Sequence, residues 1–310
     1  MERHEQSRPP DRKKIIVVGA SGNLGAATVE LLTQETPHDV IGVTRTFIAD
    51  QTGYIDFDST SIRDWKEIAD DEKWRADVVI NTAAMTDVDR CETEREKAWR
   101  TNVDLVDALL LYCRRTDAYL IQVSTDYVFD GKAGPYSEES RPEPINYYGR
   151  TKLAAENLCT KASTHTTIIR TMWLYGQDRA ANTTFSSWVR RQATGSDDLP
   201  IVADEVGNPT LYSDLANSLT LLAENPGPEL IHAVGRERVS RFEWAKIILD
   251  VEGLQNVSPR PIRSADLNRA AERPLESGLV TLHPQLTGIT DLTGVRRGER
   301  TNRVIREREG

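Results

Sequence analysis

The chain has 310 residues, 38% of them hydrophobic and 28% charged, with a formal net charge of −9. That length and balance fit a globular chain with a sizeable core rather than a disordered or membrane-spanning one, and the acidic sign argues against a general nucleic-acid binder. Three widely spaced cysteines, Cys91, Cys113 and Cys159, and five scattered histidines offer neither a disulfide framework nor a metal-ligand cluster, so no metal is expected.

Residues 1–13 are charged and contain Pro9-Pro10, without the apolar run of a signal peptide. They read as a loose tail on a cytoplasmic protein. Ile15-Ile-Val-Val18 is apolar and β-branched, as a buried parallel strand requires. It leads into Gly19-Ala-Ser-Gly-Asn-Leu-Gly25 and then a helical stretch from Ala26. A strand, a glycine turn and a helix form a dinucleotide cradle, because glycine lets the backbone approach a pyrophosphate and the helix N-terminus offers it free N–H groups. Gly19, Ser21, Gly22, Asn23, Leu24 and Gly25 are therefore cofactor-binding candidates, although Gly-x-x-Gly-x-x-Gly differs from the commoner Gly-x-Gly-x-x-Gly spacing.

The next strand, Val40–Val43, ends at Thr44-Arg45, where Arg45 stands twenty residues beyond Gly25 with no acid beside it. An acid there would hold the ribose 2′-hydroxyl of NAD, whereas an arginine accommodates a 2′-phosphate. NADPH is the expected cofactor, with NADH as the alternative. Tyr54-Ile-Asp-Phe57 reads as a third strand, placing Asp56 and Phe57 among the cofactor candidates, and Trp65 to Ile68 reads as helix. Val78–Asn81 is a fourth strand running into Thr82-Ala-Ala-Met-Thr-Asp-Val-Asp89, whose small Ala83 and Ala84 let a flat cofactor lie close. A helical pattern from Asn102 to Arg114 and a fifth strand, Leu120–Val123, complete the alternation of a doubly wound parallel α/β sheet, a Rossmann-like fold.

Asn146-Tyr-Tyr-Gly-Arg-Thr-Lys152 precedes the helix-favouring Leu153-Ala-Ala-Glu156. On a helix Tyr148 and Lys152 share a face, and a cation beside the phenol is expected to lower its pKa and make it a usable acid or base. A chance pairing of surface residues is the competing reading of this spacing taken alone.

With the glycine loop, the strand-end Ser124-Thr125 and the Tyr148/Lys152 pair in this order, the chain resembles the extended short-chain dehydrogenase/reductases. Within them it is most similar to the dTDP-4-dehydrorhamnose reductase family, through Asn81–Glu92, Ser124–Gly131, Tyr148–Lys152 and Arg170–Gly176, and more weakly through Val206–Thr210 and Arg273–Leu279. The resemblance implies NADPH-dependent reduction of the 4-keto group of a nucleotide-linked deoxysugar. Tyr148 would donate the proton, Lys152 would tune it and hold the nicotinamide ribose, and Thr125 would bind the carbonyl oxygen. It implies Thr86, Val88, Asp126, Tyr127, Trp173 and Arg273 as substrate contacts. Trp173 would pack on the sugar, with an ordinary core tryptophan as the other reading, and Arg273 would face the phosphates. Asn102 matches an asparagine that supports the proton relay, or else is a helix-surface or capping residue. Tyr127 stands where related 4,6-dehydratases carry glutamate, which disfavours water elimination.

Beyond Leu174, polar runs at 176–184 and 194–198 suit loops bordering a cleft. Helical pieces near Phe185–Gln192, Leu215–Ala223 and Phe242–Asp250, with strand-like Leu230–Val234, suggest a small, mostly helical lobe rich in arginine. The expected division is a tail at 1–13, an NAD(P)-binding domain at 14–172, and 173–310 as mainly a substrate-binding lobe with some segments returning. The mixed charge from Arg296 to Gly310 predicts a solvated or frayed helix, where the family closes with a more apolar one. Two alternatives stand beside the reductase: a nucleotide-binding regulatory subunit resembling the β subunit of methionine adenosyltransferase, and a nucleotide-sugar epimerase. A homodimer is the expected assembly if there is one; some family members form metal-bridged dimers, but no ligand cluster here supports that.

Overall fold

The computed structural model describes residues 12–50, 53–176, 184–195 and 198–309. The expected loops at 177–183 and 196–197, and the residues up to 11, lie outside the described residues. Seven strands are numbered in chain order: β1 Lys14–Val18, β2 Asp39–Val43, β3 Phe47–Asp50, β4 Gly53–Asp56, β5 Val78–Asn81, β6 Tyr119–Thr125 and β7 Thr166–Thr171. With Leu230–His232 they form one eight-stranded sheet, ordered Leu230–His232, β7, β6, β5, β1, β2, β3, β4. Every pairing from Leu230–His232 through β2 is parallel.

Period-two alternation explains how β1 serves two cores. Ile16 and Val18 join one cluster with Trp65, Leu105, Leu109 and Tyr112. Ile15 and Val17 join the opposite one with Leu24, Leu32, Leu215 and Leu219. A strand buried on both faces must be apolar throughout, as Ile-Ile-Val-Val is.

The third strand departs from expectation. Tyr54-Ile-Asp56 is extended, but it closes an antiparallel hairpin with β3, which is itself antiparallel to β2. The sheet is therefore parallel only as far as β2 on this side. The hairpin puts Phe57 at the end of β4, buried and edge-on to Trp65 at 5.0 Å.

Two pieces expected in the smaller lobe pack elsewhere. The helix Tyr212–Glu224 lies against the helix Asn23–Glu35 on the second core, and Leu230–His232 extends the main sheet beside β7. A third core gathers Tyr175, Val189, Trp244, Ile248 and Val295. Around it stand the helices Phe185–Ala193 and Arg241–Glu252 and the parallel pair Asp198–Val202 and Ser258–Ile262.

The terminal helix Val295–Glu309 is not merely a solvated charge mixture. Val295, Glu299 and Asn302, spaced to share one face, are buried, and Glu299 accepts hydrogen bonds from Ser186 Oγ (2.5 Å) and Trp244 Nε1 (2.8 Å). Arg296 and Arg306 reach Asp250 and Glu252 on the neighbouring helix. The packing is polar, so hydrophobic periodicity could not have announced it. No helix among the described residues is long and apolar enough to cross a membrane.

Candidate active site

The carboxyl ends of β1, β5, β6 and β7 open into a cleft of ≈ 960 Å³, the place where open α/β sheets bind ligands. At one end lies the glycine turn. Gly22 caps the helix Asn23–Glu35 with no side-chain bond and no acid in the first turn, so its leading N–H groups remain available to an anion. Gly25 is there because nothing larger fits: a Cβ would stand 2.1 Å from the Gly19 carbonyl oxygen and 2.7 Å from Thr82 Oγ1. Gly22, Asn23, Leu24 and Gly25 line the cleft, whereas Ser21 is solvent-exposed. Gly19, at φ +87°, and Ala83 back each other, since a Cβ on Gly19 would lie 2.8 Å from the Ala83 nitrogen.

A second cleft of ≈ 900 Å³ includes Arg45, Thr46, Phe57, Arg90, Lys97 and Arg100 in its lining. Ala84 lines both clefts, so they adjoin there. The Asp56 side chain lies outside the described residues.

The expected helix is Tyr147–Lys161. Asn146 caps it by accepting from the Gly149 nitrogen at 2.9 Å, while its amide donates to the Glu272 carbonyl. Gly149 lets the first turn press on the strand end, because a Cβ would fall 2.1 Å from the Tyr127 carbonyl oxygen. That approach sets Tyr148 beside Thr125 in the cleft and edge-on to Tyr127 at 5.5 Å. Thr125, Tyr148 and Lys152 all line the cleft.

The electrostatics reverse one expectation. Burial pushes the Tyr148 phenol above its ordinary pKa; the neighbouring Thr125 hydroxyl opposes that and the nearby Asp126 carboxylate adds to it. Lys152 does not offset this, because its Nζ donates to the Val123 carbonyl at 2.7 Å. Burial lowers the ammonium to about 8, against the pull of Glu156 one turn along. Desolvation outweighs the cation, and the phenol stays protonated.

Asp126 is buried, accepting from Thr125 Oγ1 at 3.1 Å and Ser277 Oγ at 2.7 Å, and burial raises its pKa to about 6. Asn102 is neither a surface nor a capping residue. It is buried in a π-helical turn, accepts from the Met85 nitrogen, and donates to the Met85 carbonyl and Thr151 Oγ1. It thus ties the loop after β5 to the helix that carries Tyr148. Behind that helix Glu156 pairs with the buried Arg170 at 2.6 Å and accepts from Ser124 Oγ.

Thr86, Val88, Tyr127, Trp173 and Arg273 also line the cleft. Trp173 is half-buried at φ +46°, with its ring stacked 6.0 Å from Trp244. Arg273 is held by Asp89 at 2.7 Å and by the Ala271 carbonyl. Sequence reasoning did not single out Arg241, which lies 3.8 Å over the Trp173 ring, or Glu205 beside it. Arg241 begins a helix far along the chain, and no spacing relates it to Thr125 or to the Tyr148/Lys152 pair. Among the described residues no group of three or more His, Cys, Asp or Glu is placed to hold a metal ion.

A family model described as the RmlD substrate binding domain matches residues 13–304. The dTDP-4-dehydrorhamnose reductase of Mycolicibacterium smegmatis is 32% identical over 283 residues, covering 90% of this chain and 82% of its own. The Bacillus subtilis spore coat polysaccharide biosynthesis protein SpsK is 32% identical over 284 residues, covering 87% and 93%. Among solved structures, the dTDP-4-dehydrorhamnose reductase of Clostridium acetobutylicum matches with a TM-score of 0.84 at 29% identity, over 95% of this chain and 99% of that one. The Bacillus anthracis enzyme, solved in complex with NADP, matches with a TM-score of 0.84 at 26% identity, with the same coverage.

Proposed function

We propose, from the premise that this chain belongs to the RmlD substrate-binding-domain family, that it is an NADPH-dependent oxidoreductase reducing the 4-keto group of a nucleotide-linked deoxysugar such as dTDP-4-dehydrorhamnose. The observation that carries this reading is one cleft holding both a glycine cradle and the Thr125/Tyr148/Lys152 group. The cradle fits a dinucleotide: Gly25 leaves no room for a side chain, and Gly22 leaves the helix N-terminus uncapped. Arg45 and Phe57, in the adjoining cleft, are proposed to receive the adenosine half.

When bound, the cofactor supplies the hydride. Tyr148 keeps its proton at neutral pH because burial disfavours the phenolate, so it is suited to giving a proton to an oxygen that is gaining charge. The Thr125 hydroxyl, which lines the same cleft, holds that oxygen in place. Lys152, cationic below about pH 8 and donating to the Val123 carbonyl, lines the same cleft and is assigned the nicotinamide ribose. Trp173, Tyr127, Thr86 and Val88 form the sugar side of the cleft, and Arg273 braces its wall through Asp89. The residues packed around the third core make the substrate-binding lobe of this proposal, and its setting is cytoplasmic.

The test follows absorbance at 340 nm with NADPH and dTDP-4-dehydrorhamnose. Tyr148→Phe is expected to lower kcat by roughly 10²–10⁴-fold while the variant still binds NADPH. An epimerase or a regulatory subunit would show no net NADPH consumption. Wild-type protein that binds NADPH yet consumes none with this substrate or related keto-sugar nucleotides would sink the proposal.

A further inference from the structure

Three arginines line the lobe side of the cleft, and two are already engaged. Arg273 is bound by Asp89 and the Ala271 carbonyl. Arg269 pairs with Glu205 and reaches Ser264 Oγ. Arg241 differs. Its nearest carboxylate among the described residues is Glu205 at 4.0 Å, beyond hydrogen-bond reach and already committed to Arg269 and Ser264.

What holds Arg241 is stacking. Its guanidinium carbon lies 3.8 Å from the Trp173 ring centroid, 4.8 Å from that of Phe185 and 5.5 Å from that of Trp244. Aromatic faces fix the plane of a guanidinium while leaving its in-plane N–H donors unspent. The side chain is 20% exposed, so much of the cation's hydration has been stripped without a hydrogen-bonded anion to replace it. Such a group is poised for an anionic ligand that offers paired oxygens.

Its position says which anion. The same cleft holds Trp173, Thr125 and Tyr148, where the reacting sugar belongs, and an apolar wall of Pro200, Ile201, Val202, Ile262 and Leu267. A flat base suits that wall, and between a sugar and a base a sugar nucleotide carries its diphosphate. We propose that Arg241 grips the diphosphate of the substrate, its fork bridging phosphate oxygens while Trp173 backs it; this rests on the reading of the cleft as a nucleotide-sugar site. Trp173 then serves two neighbours, the sugar and the arginine.

The test titrates dTDP and dTMP calorimetrically into wild type, Arg241→Gln and Arg241→Lys, with NADPH binding as the check on folding. Loss of one charge-assisted contact weakens dTDP binding to Arg241→Gln by roughly 10–100-fold. The preference for dTDP over dTMP narrows, and NADPH affinity is unchanged. Arg241→Lys falls between, because a point charge keeps the attraction and loses the fork. Wild-type dTDP affinity in Arg241→Gln overturns the assignment. If the glutamine variant has lost NADPH binding, the lysine variant decides: wild-type dTDP affinity overturns the proposal and a several-fold loss supports it. Failure of the wild-type protein itself to bind dTDP overturns the nucleotide-sugar reading instead, and this inference with it.

Discussion

Replacing Glu156 by glutamine tests both the packing behind the active helix and the chemistry in front of it. Glu156 is 4% exposed and Arg170 3%. The carboxylate receives Arg170 Nε at 2.9 Å and Nη2 at 2.6 Å, and Ser124 Oγ as well. His232 cannot take over the charge. Burial lowers its pKa to about 4; with Nδ1 on the Val280 carbonyl at 2.9 Å, its Nε2 is a neutral acceptor for Arg170 at 3.3 Å. The glutamine variant therefore leaves a buried guanidinium without its anion, at a cost of about 3–5 kcal/mol. For a chain of this size that lowers Tm by roughly 6–10 °C in a thermal melt at pH 7. The same substitution removes the carboxylate that holds the Lys152 pKa up, so the alkaline limb of kcat/KM, expected near pH 8 in the wild type, should move to lower pH. A loss under about 1 kcal/mol would refute the reasoning on the buried pair. An unmoved alkaline limb would refute the link to Lys152. Replacing both partners, Glu156→Leu with Arg170→Met, should recover most of the lost stability, because no unpaired charge then remains.

Three further outcomes are expected. Gly25→Ala must displace the Gly19 carbonyl, since its Cβ would stand 2.1 Å from that oxygen, and should weaken NADPH binding at least ~10-fold in a fluorescence titration, a little over 1.4 kcal/mol. Arg45→Ala should raise KM for NADPH several-fold and leave KM for NADH nearly unchanged; equal effects on both would remove Arg45 from the 2′-phosphate. Asp126 has a folded-state pKa of about 6 against an ordinary 3.8, so the folded state holds the extra proton between those values and wild-type stability falls as pH rises through them. Asp126→Asn should therefore gain stability relative to wild type from pH 4 to pH 7 in urea titrations, and a flat difference across that range would contradict the assigned burial.

The parts of the fold that could be read from the chain obey short-range rules. The β-branched run before Gly19 and the periodicity from Asn102 onward express strand and helix geometry directly, and the α/β class follows from their alternation. The β3–β4 hairpin escaped because Phe47–Asp50 alternates weakly and because an antiparallel return breaks the βαβ rhythm. Tyr148 and Lys152 were legible as a pair on one helical face, yet the direction of the tyrosine shift was not: it depends on burial and on Lys152 turning to the Val123 carbonyl, both set by tertiary packing. Glu299 and Asn302 illustrate the same limit, since a polar residue in an Arg-rich helix gives no sign that it will be buried. Arg241 needed a fold that brings the start of a late helix over Trp173.

At Trp173 side-chain packing outweighs a strained backbone. A bulky residue at φ +46° occupies backbone space that glycine enters freely, and such a conformation persists only at a cost of about 1–3 kcal/mol. Its surroundings make room for it: a Cβ on Gly207 would lie 3.2 Å from the indole and 2.2 Å from Met172 Cε. Trp173→Gly would relax the backbone, but it would strip one wall from the cleft and take away the ring on which Arg241 and Trp244 stack, and truncating a packed tryptophan costs about 3–5 kcal/mol, more than the strain returns. The indole therefore holds the lobe as well as the cleft, and laboratory evolution toward heat resistance should keep it and accumulate its stabilising changes elsewhere.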